Sequence, residues 1–490
     1  MNTTYRIIYI NSMELSIEQN YALNRFKQGQ NLFITGPGGT GKSKLIKDFV
    51  MHCYKIKKSI QVTALTGCAA ILLGHNAKTI HSWSGIKLCR GEPEKIVEQI
   101  LSNKRALKNW KSVKVLIIDE VSMMSAKMFD VLNRIGKMIR RSDQPFGGIQ
   151  IILTGDFYQL PPIENKGEPE SGKFCFESTN WNTTFPYENQ VVLSKIFRQN
   201  DQQYINILNE IRKGELSEEN VELLRTYVNR SYKKEEHNGV SLTKLYPVRN
   251  SVDVINNSMF KALPHETKET HLSIHKDNLM YGDTKKAIES HILEMCAKAP
   301  SYEIDNEINF LKNNTPCVEL LQLKKGATVM CTANIDLEKG ICNGSQGIIT
   351  DFVNEIPKVR FANNVEMLLE KHHWQSEKYP TISICQYPLM LAWAITIHKI
   401  QGTTLHMAEM DIGRDVFAYG QTYVALSRIK SLDGLYLSSF EPKKVKSNPN
   451  VKAYYENIPE KDYNITNVFA DFACELKEDT YKGDVKVIKL

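Results

Sequence analysis

The sequence predicts an α/β protein with two parallel-sheet units and a small all-β module set into the second. Three observations predict it. Short apolar runs alternate with helical patterns from residue 30 to 160. A second set of apolar runs follows, and β-like runs punctuated by Asn and Gly fall in a long gap inside that second set.

In the first unit, residues 32–35, 60–64, 113–118 and 149–154 are short and apolar throughout, like strands covered on both faces. Between them, Leu45, Ile46, Phe49 and Val50 share one face of a helix over 42–54. Phe129, Leu132, Ile135 and Ile139 do the same over 126–140. The second unit takes strands at 191–193, 244–247, 392–396 and 435–437, and the separation of 247 from 392 implies an insertion. Residues 262–314 are charged and poorly periodic, with no readable pattern. Strands are then expected at 326–330, 346–352 and 358–361, with turns at Asn343-Gly344 and Asn363-Asn364. From about residue 441 the chain is polar and reads as a peripheral extension.

At 490 residues the chain exceeds one compact core. Its hydrophobic and charged fractions, 42% and 24%, are those of an ordinary soluble globular protein. The longest apolar run, 387–397, falls short of the roughly 20 residues that span a bilayer. Arg6 interrupts the apolar start, which reads against a secretory leader, so an intracellular site of action is expected: the nucleus in a eukaryote, the cytoplasm in a bacterium or virus-infected cell. Ten cysteines without a Cys-x-x-Cys pair predict reduced thiols rather than a zinc site or a disulfide framework. The 62 basic residues nearly balance 55 acidic ones, so a net charge of +7 requires any polyanion-binding field to be local.

Gly36-Pro37-Gly38-Gly39-Thr40-Gly41-Lys42-Ser43 fits the phosphate-binding loop Gly-x-x-x-x-Gly-Lys-Ser/Thr, between a predicted strand and a predicted helix. Its glycines let backbone amides turn toward phosphates, Lys42 reaches the β and γ groups, and Ser43 is placed to ligate Mg²⁺. Ile117-Ile118-Asp119-Glu120 ends the next strand but one. An Asp-Glu pair alone is usually a solvated strand end. Downstream of a phosphate loop, Asp119 is expected to hold Mg²⁺ through water and Glu120 to orient or deprotonate the attacking water. Both elements fall at the carboxyl edge of one parallel sheet, where such folds bind ligands. Arg198, in Phe197-Arg198-Gln199, and Arg428, in Ala425-Leu426-Ser427-Arg428, are both expected in the second unit, poised to supply charge across a cleft. A lone arginine is more often a surface ion pair.

Ten motifs stand in a fixed order. They are Gln19; Gly36 to Ser43; Thr63-Ala-Leu-Thr-Gly-Cys-Ala-Ala70; Thr79-Ile-His-Ser-Trp83; Ile117 to Glu120; Pro145-Phe-Gly-Gly148; Leu153-Thr-Gly-Asp-Phe-Tyr-Gln-Leu-Pro-Pro162; Phe197 to Gln199; Thr396-Ile-His-Lys-Ile-Gln-Gly402; and Tyr423 to Arg428. Over about residues 15 to 440 the chain resembles the PIF-one (PIF1) helicases, relatives of RecD in the 5′-to-3′ branch of superfamily one.

The resemblance implies two RecA-like domains. The first spans 1–190, with a wedge insertion at about 71–112, and the second is built from 191–260 and 389–440. An insertion at 261–388 holds an SH3-like module at about 323–388, and 441–490 is an extension. It also implies roles. Gln19 would read adenine, Gln159 would sense the γ-phosphate, Gly402 would border the nucleotide, and Arg198 and Arg428 would be arginine fingers. Thr66, Gly67, His81, His398 and Lys399 would line a single-strand path through phosphate and sugar contacts, which pass every sequence.

The activity implied is ATP- and Mg²⁺-dependent unwinding of DNA, in replication, repair, recombination or telomere maintenance. The partners implied are single-stranded and forked DNA and other replication or repair proteins, and the chain is expected to be monomeric and near-minimal for a helicase. Two positions depart from the family pattern: Ile400 where serine is usual, and Val248-Arg249 where Thr-Asn is usual. An RNA helicase of the same branch remains open, because backbone contacts do not exclude RNA. A non-catalytic scaffold is disfavoured because all six ATPase side chains are present. A nuclease-complex subunit would need its nuclease carboxylates from a partner. Trp83, Met123 and Met124 are expected to be core.

Overall fold

Six parallel strands make the first sheet: β1 (Leu32–Thr35), β2 (Ile60–Ala64), β3 (Lys78–Thr79), β4 (Val115–Asp119), β5 (Gln150–Gly155) and β6 (Gln190–Val192). Their spatial order is β3-β2-β4-β5-β1-β6. The computed structural model describes residues 15–463, apart from 76, 88, 166, 233–241, 277–295, 297, 337, 338, 342, 377, 378, 380 and 462. The apolar start around Arg6 and residues 464–490 of the extension lie outside the described residues.

Strand β6 corrects one expectation. Residues 191–193 were assigned to the second sheet, yet Val191 pairs in parallel with Ile34 of β1. A short apolar run identifies a strand without saying which sheet it joins. The boundary at 190/191 therefore moves: the first sheet claims residues through Val192, and a strap from 193 to 201 leads to the Gln202–Lys213 helix. Residues 71–112 contain β3 and the helices Ile80–Ser84, Pro93–Ser102 and Lys104–Ser112. Ile96, Val97, Ile100 and Trp110 from these helices share one buried cluster with Phe129 and Leu132 of the Ala126–Arg140 helix. Trp83 is buried with its ring 5.0 Å from that of Trp110, and Met124 is fully buried.

The second sheet begins with β7 (Lys244–Tyr246) and is then interrupted. The insertion carries β8 (Lys268–His271), β9 (Ser273–His275), the Ser301–Asn314 helix, β10 (Leu320–Leu323), β11 (Thr328–Cys331), β12 (Gln346–Val353), β13 (Ile356–Phe361), β14 (Glu366–Leu368), β15 (His372–Gln375), β16 (Ser383–Gln386) and β17 (Leu389–Leu391). The chain returns with β18 (Ala394–Thr396), β19 (Ala408–Ile412) and β20 (Leu435–Phe440), giving a parallel sheet of order β18-β7-β19-β20. Strand β19 was not predicted, because Glu409 and Asp411 break its apolar run. Its Ala408, Met410 and Ile412 are fully buried. Ile400 is also buried in this core, so its departure from serine serves packing.

Within the insertion, β14-β13-β12-β11-β17 form a five-stranded antiparallel sheet around Val329, Ile349, Val359 and Phe361. The expected range of 323–388 needs adjusting. β17 lies beyond it and completes the sheet, whereas β15 and β16 lie inside it and pair with β9 in a separate three-stranded sheet. Among the described residues, no helix is long and apolar enough to cross a membrane.

Candidate active site

The phosphate loop leaves β1 and ends at Gly41, which caps the Lys42–Lys55 helix in a left-handed conformation. Close approach explains two of its glycines. A Cβ on Gly39 would stand 2.5 Å from Cβ of Arg198, and one on Gly41 would stand 2.6 Å from Nε2 of Gln19. The loop is thus wrapped by the strap on one side and by the Ile17–Lys27 helix on the other. Lys42 donates from Nζ to the carbonyls of Gly36 (2.7 Å) and Pro37 (3.0 Å). Gln19 accepts from Ser16 N (3.0 Å) as part of a capping box and donates to Thr40 O (3.1 Å), so its side chain joins the helix start to the loop.

Strand β4 delivers the carboxylates. Asp119 is buried and accepts a short hydrogen bond from the Thr154 hydroxyl on β5. Glu120 turns the chain at φ 57°, a left-handed conformation uncommon outside glycine and typical of sites where position outweighs strain. Gln401, just after β18, donates to Glu120 Oε2 (3.2 Å) and to Gln159 Oε1 (3.4 Å). Gln401 lay inside a quoted motif but received no role from the sequence, since nothing local marks an amide that acts across a domain boundary.

The arginines complete the enclosure. Arg428, at the end of the Gln421–Leu426 helix, is buried and donates to Val424 O (2.9 Å), Ser427 Oγ (2.8 Å) and Thr403 O (3.4 Å). Arg198 donates to Ser427 O (3.2 Å). Its assignment to the second unit is corrected: it lies on the strap after β6, because β6 belongs to the first sheet. One cavity of about 370 Å³ is lined by residues 38–43, Asp119, Glu120, Gln159, Arg198, Gly402 and Arg428, together with Ala69, Leu73 and Phe197.

Burial shapes the electrostatics of this cavity. Burial pushes the Asp119 carboxyl up to about 6, with Glu120 adding to the rise. Burial pushes Arg428 down to about 10, and Arg198 beside it adds to the fall. Arg198 and Lys42 are likewise lowered by burial. The desolvated cations Arg198, Arg428 and Lys42 share this cavity with the buried Asp119 carboxyl. Such a site suits a polyanion beside the cations and a compact cation beside the carboxyl.

A buried network stands behind the loop. Arg212, on the Gln202–Lys213 helix, clasps Asp156 with two 2.9 Å hydrogen bonds. Tyr423 donates to Asp156 (3.2 Å) and accepts from Gly38 N (2.9 Å), so a second-domain hydroxyl touches the phosphate loop. Tyr455, from the Pro449–Glu456 helix, meets Thr35 (2.5 Å) and Asp156 (3.4 Å). None of these four residues was singled out from the sequence.

The expected strand-path residues do not line the nucleotide cavity. Thr66 accepts from Ala69 N (3.2 Å) at the helix start. Gly67 borders a second cavity of about 270 Å³, between β3 and the insertion. His81 Nδ1 lies 2.6 Å from Lys87 O. His398 stacks on Phe417 at 5.9 Å, and Lys399 is exposed.

A phosphate loop and paired carboxylates on one parallel sheet, closed by an arginine from a second, define a P-loop nucleoside triphosphatase with two motor domains. Residues 14–222 match the PIF1-like helicase family model, and residues 307–352 match that of the DNA helicase Pif1 2B domain. The ATP-dependent DNA helicase PIF1 of Danio rerio is 36% identical over 96% of this chain and 68% of its own length. The chain spans about two thirds of the length of such curated relatives. The crystal structure of Pif1 helicase from Candida albicans superposes with a TM-score of 0.70 at 32% identity, covering 91% of this chain and all of that one. Bacteroides Pif1 bound to ssDNA superposes at 0.58 with 29% identity, covering 91% and 97%. The chain belongs to the PIF1-like helicase family, and its two parallel sheets are RecA-like domains.

Proposed function

We propose that the chain is an ATP-driven DNA helicase that moves 5′ to 3′ on single-stranded DNA and separates duplex strands. The observation that carries this reading is the single cleft in which the first domain's loop and carboxylates meet Arg428 of the second domain and Arg198 of the strap. In this reading Lys42 leaves the Gly36 and Pro37 carbonyls for the triphosphate, and the loop amides cradle it. Gln19 contacts the nucleobase beside the loop, where its amide already bonds Thr40.

The residues fit Mg²⁺: Ser43 lines the cavity, and burial, then Glu120, raise the Asp119 carboxyl, whose ionised form a bound cation would favour. Bound there, Mg²⁺ would neutralise phosphate charge. Glu120 orients and deprotonates the attacking water, while Arg198 and Arg428 stabilise charge on the transferred group. Gln159 and Glu120 report the γ-phosphate to the second domain through Gln401, which contacts both. Cleft opening and closing then advances DNA held by Thr66, Gly67, His81, His398 and Lys399. Support for DNA comes from the ssDNA bound by the Bacteroides relative and from the names of the curated relatives. On this reading the chain acts inside the cell, at DNA.

Strand displacement on duplexes with a 5′ or a 3′ single-stranded tail tests this reading. ATP-dependent release from the 5′-tailed substrate alone is expected. Release from the 3′-tailed substrate would reverse the polarity, and equal stimulation of ATPase by RNA would favour an RNA motor.

A further inference from the structure

We propose that His275, His373 and Cys385 form a zinc-binding site on the three-stranded sheet of the insertion, far in role from the nucleotide cleft. Their candidate ligand atoms all lie within 4.8 Å of one another, and His373 Nε2 stands 3.3 Å from Cys385 Sγ. Zn–S and Zn–N bonds of about 2.3 and 2.0 Å at a tetrahedral angle put sulfur and nitrogen about 3.5 Å apart. The His373–Cys385 pair already stands near that spacing, and His275 lies within 4.8 Å of both.

Sheet register makes the ligands converge. The order is β15-β16-β9, so β16 is central. Cys385 on β16 pairs directly with His373 on β15, and Ser383 pairs with His275 on β9. Directly paired residues share a face, as do residues two apart on one strand. All three ligands therefore lie on one face. The alternate residues Trp374 and Ile384 occupy the other face and join a small apolar cluster with Ile308, Leu311 and Ile382. A module with so thin a core gains most from a metal staple.

The chemistry of the donors suits zinc. Two imidazoles and a thiolate are a borderline-soft set, and three protein ligands leave a fourth corner for water. Local spacing rules miss the site because the ligands come from three separate strands.

The test uses the full chain, purified without metal-affinity resin and equilibrated with equimolar zinc. About one zinc per chain should survive gel filtration by elemental analysis. Replacement by Co²⁺ should give a thiolate-to-cobalt charge-transfer band, which phosphate-loop metal binding cannot produce. Cys385→Ser should lose the band, and His373→Ala should reduce retained zinc at least tenfold, with ATPase activity intact in both as the check on folding. Absence of the band in the wild-type chain, or its persistence in Cys385→Ser, overturns the proposal. Should either variant fail to fold, the wild-type cobalt spectrum decides alone.

Discussion

Gln401 of the second domain donates a 3.2 Å hydrogen bond to the carboxylate of Glu120 in the first. The same amide nitrogen lies 3.4 Å from Gln159 Oε1, so one side chain touches both the water-activating candidate and the candidate γ-phosphate sensor. A hydrogen bond to a charged group is worth about 1.5–3 kcal/mol, or roughly a 10- to 100-fold change in an equilibrium. Gln401→Ala is therefore expected to cut DNA-stimulated ATPase by about that factor while leaving ATP affinity within a few-fold. Steady-state ATPase with and without single-stranded DNA checks this, and unaltered stimulation would remove Gln401 from the coupling.

Glu120→Gln keeps the shape and the left-handed turn but removes the base. Hydrolysis should slow by about 10²–10⁴-fold with ATP binding retained. Single-turnover hydrolysis beside a nucleotide-binding titration separates the two effects. Lys42→Ala should abolish ATPase and unwinding and leave single-strand binding largely intact.

Asp119 gives the nucleotide site a pH limit. Its carboxyl is raised to about 6, first by burial and then by Glu120. Only the ionised form holds Mg²⁺, so protons compete with the metal as pH falls through 6. Apparent affinity for MgATP should be level above pH 7 and weaken toward about tenfold per unit below 6. Asp119→Asn should flatten that profile while weakening MgATP binding throughout.

The Asp156–Arg212 pair joins the domains from behind. Asp156 is fully buried, and Arg212 also lies 4.5 Å over the Tyr158 ring. Removing one partner leaves a buried charge uncompensated, at a cost of about 3–5 kcal/mol. Arg212→Leu should lower the melting temperature by several degrees and weaken coupling between nucleotide and DNA binding. Thermal melts with and without nucleotide check both.

Much of the site was legible because local sequence specifies it. The phosphate loop needs glycines where Arg198 and Gln19 crowd it, and the 117–120 run reads as a buried strand ending in two acids. Sheet membership was less legible: 191–193 is an apolar run like the second-domain strands, and only the pairing of Val191 and Val192 with β1 places it. β19 hid behind Glu409 and Asp411. Gln401, Asp156, Arg212 and Tyr423 were invisible as a group, because their meaning lies in contacts between residues far apart in sequence.

The central claim is that hydrolysis requires guanidinium groups from outside the first domain. Turnover of ATP with saturating single-stranded DNA, in wild type, Arg198→Ala and Arg428→Ala, tests it most directly. Each variant should lose about 10³-fold or more in kcat while still binding nucleotide and DNA. Wild-type turnover in both variants would contradict it.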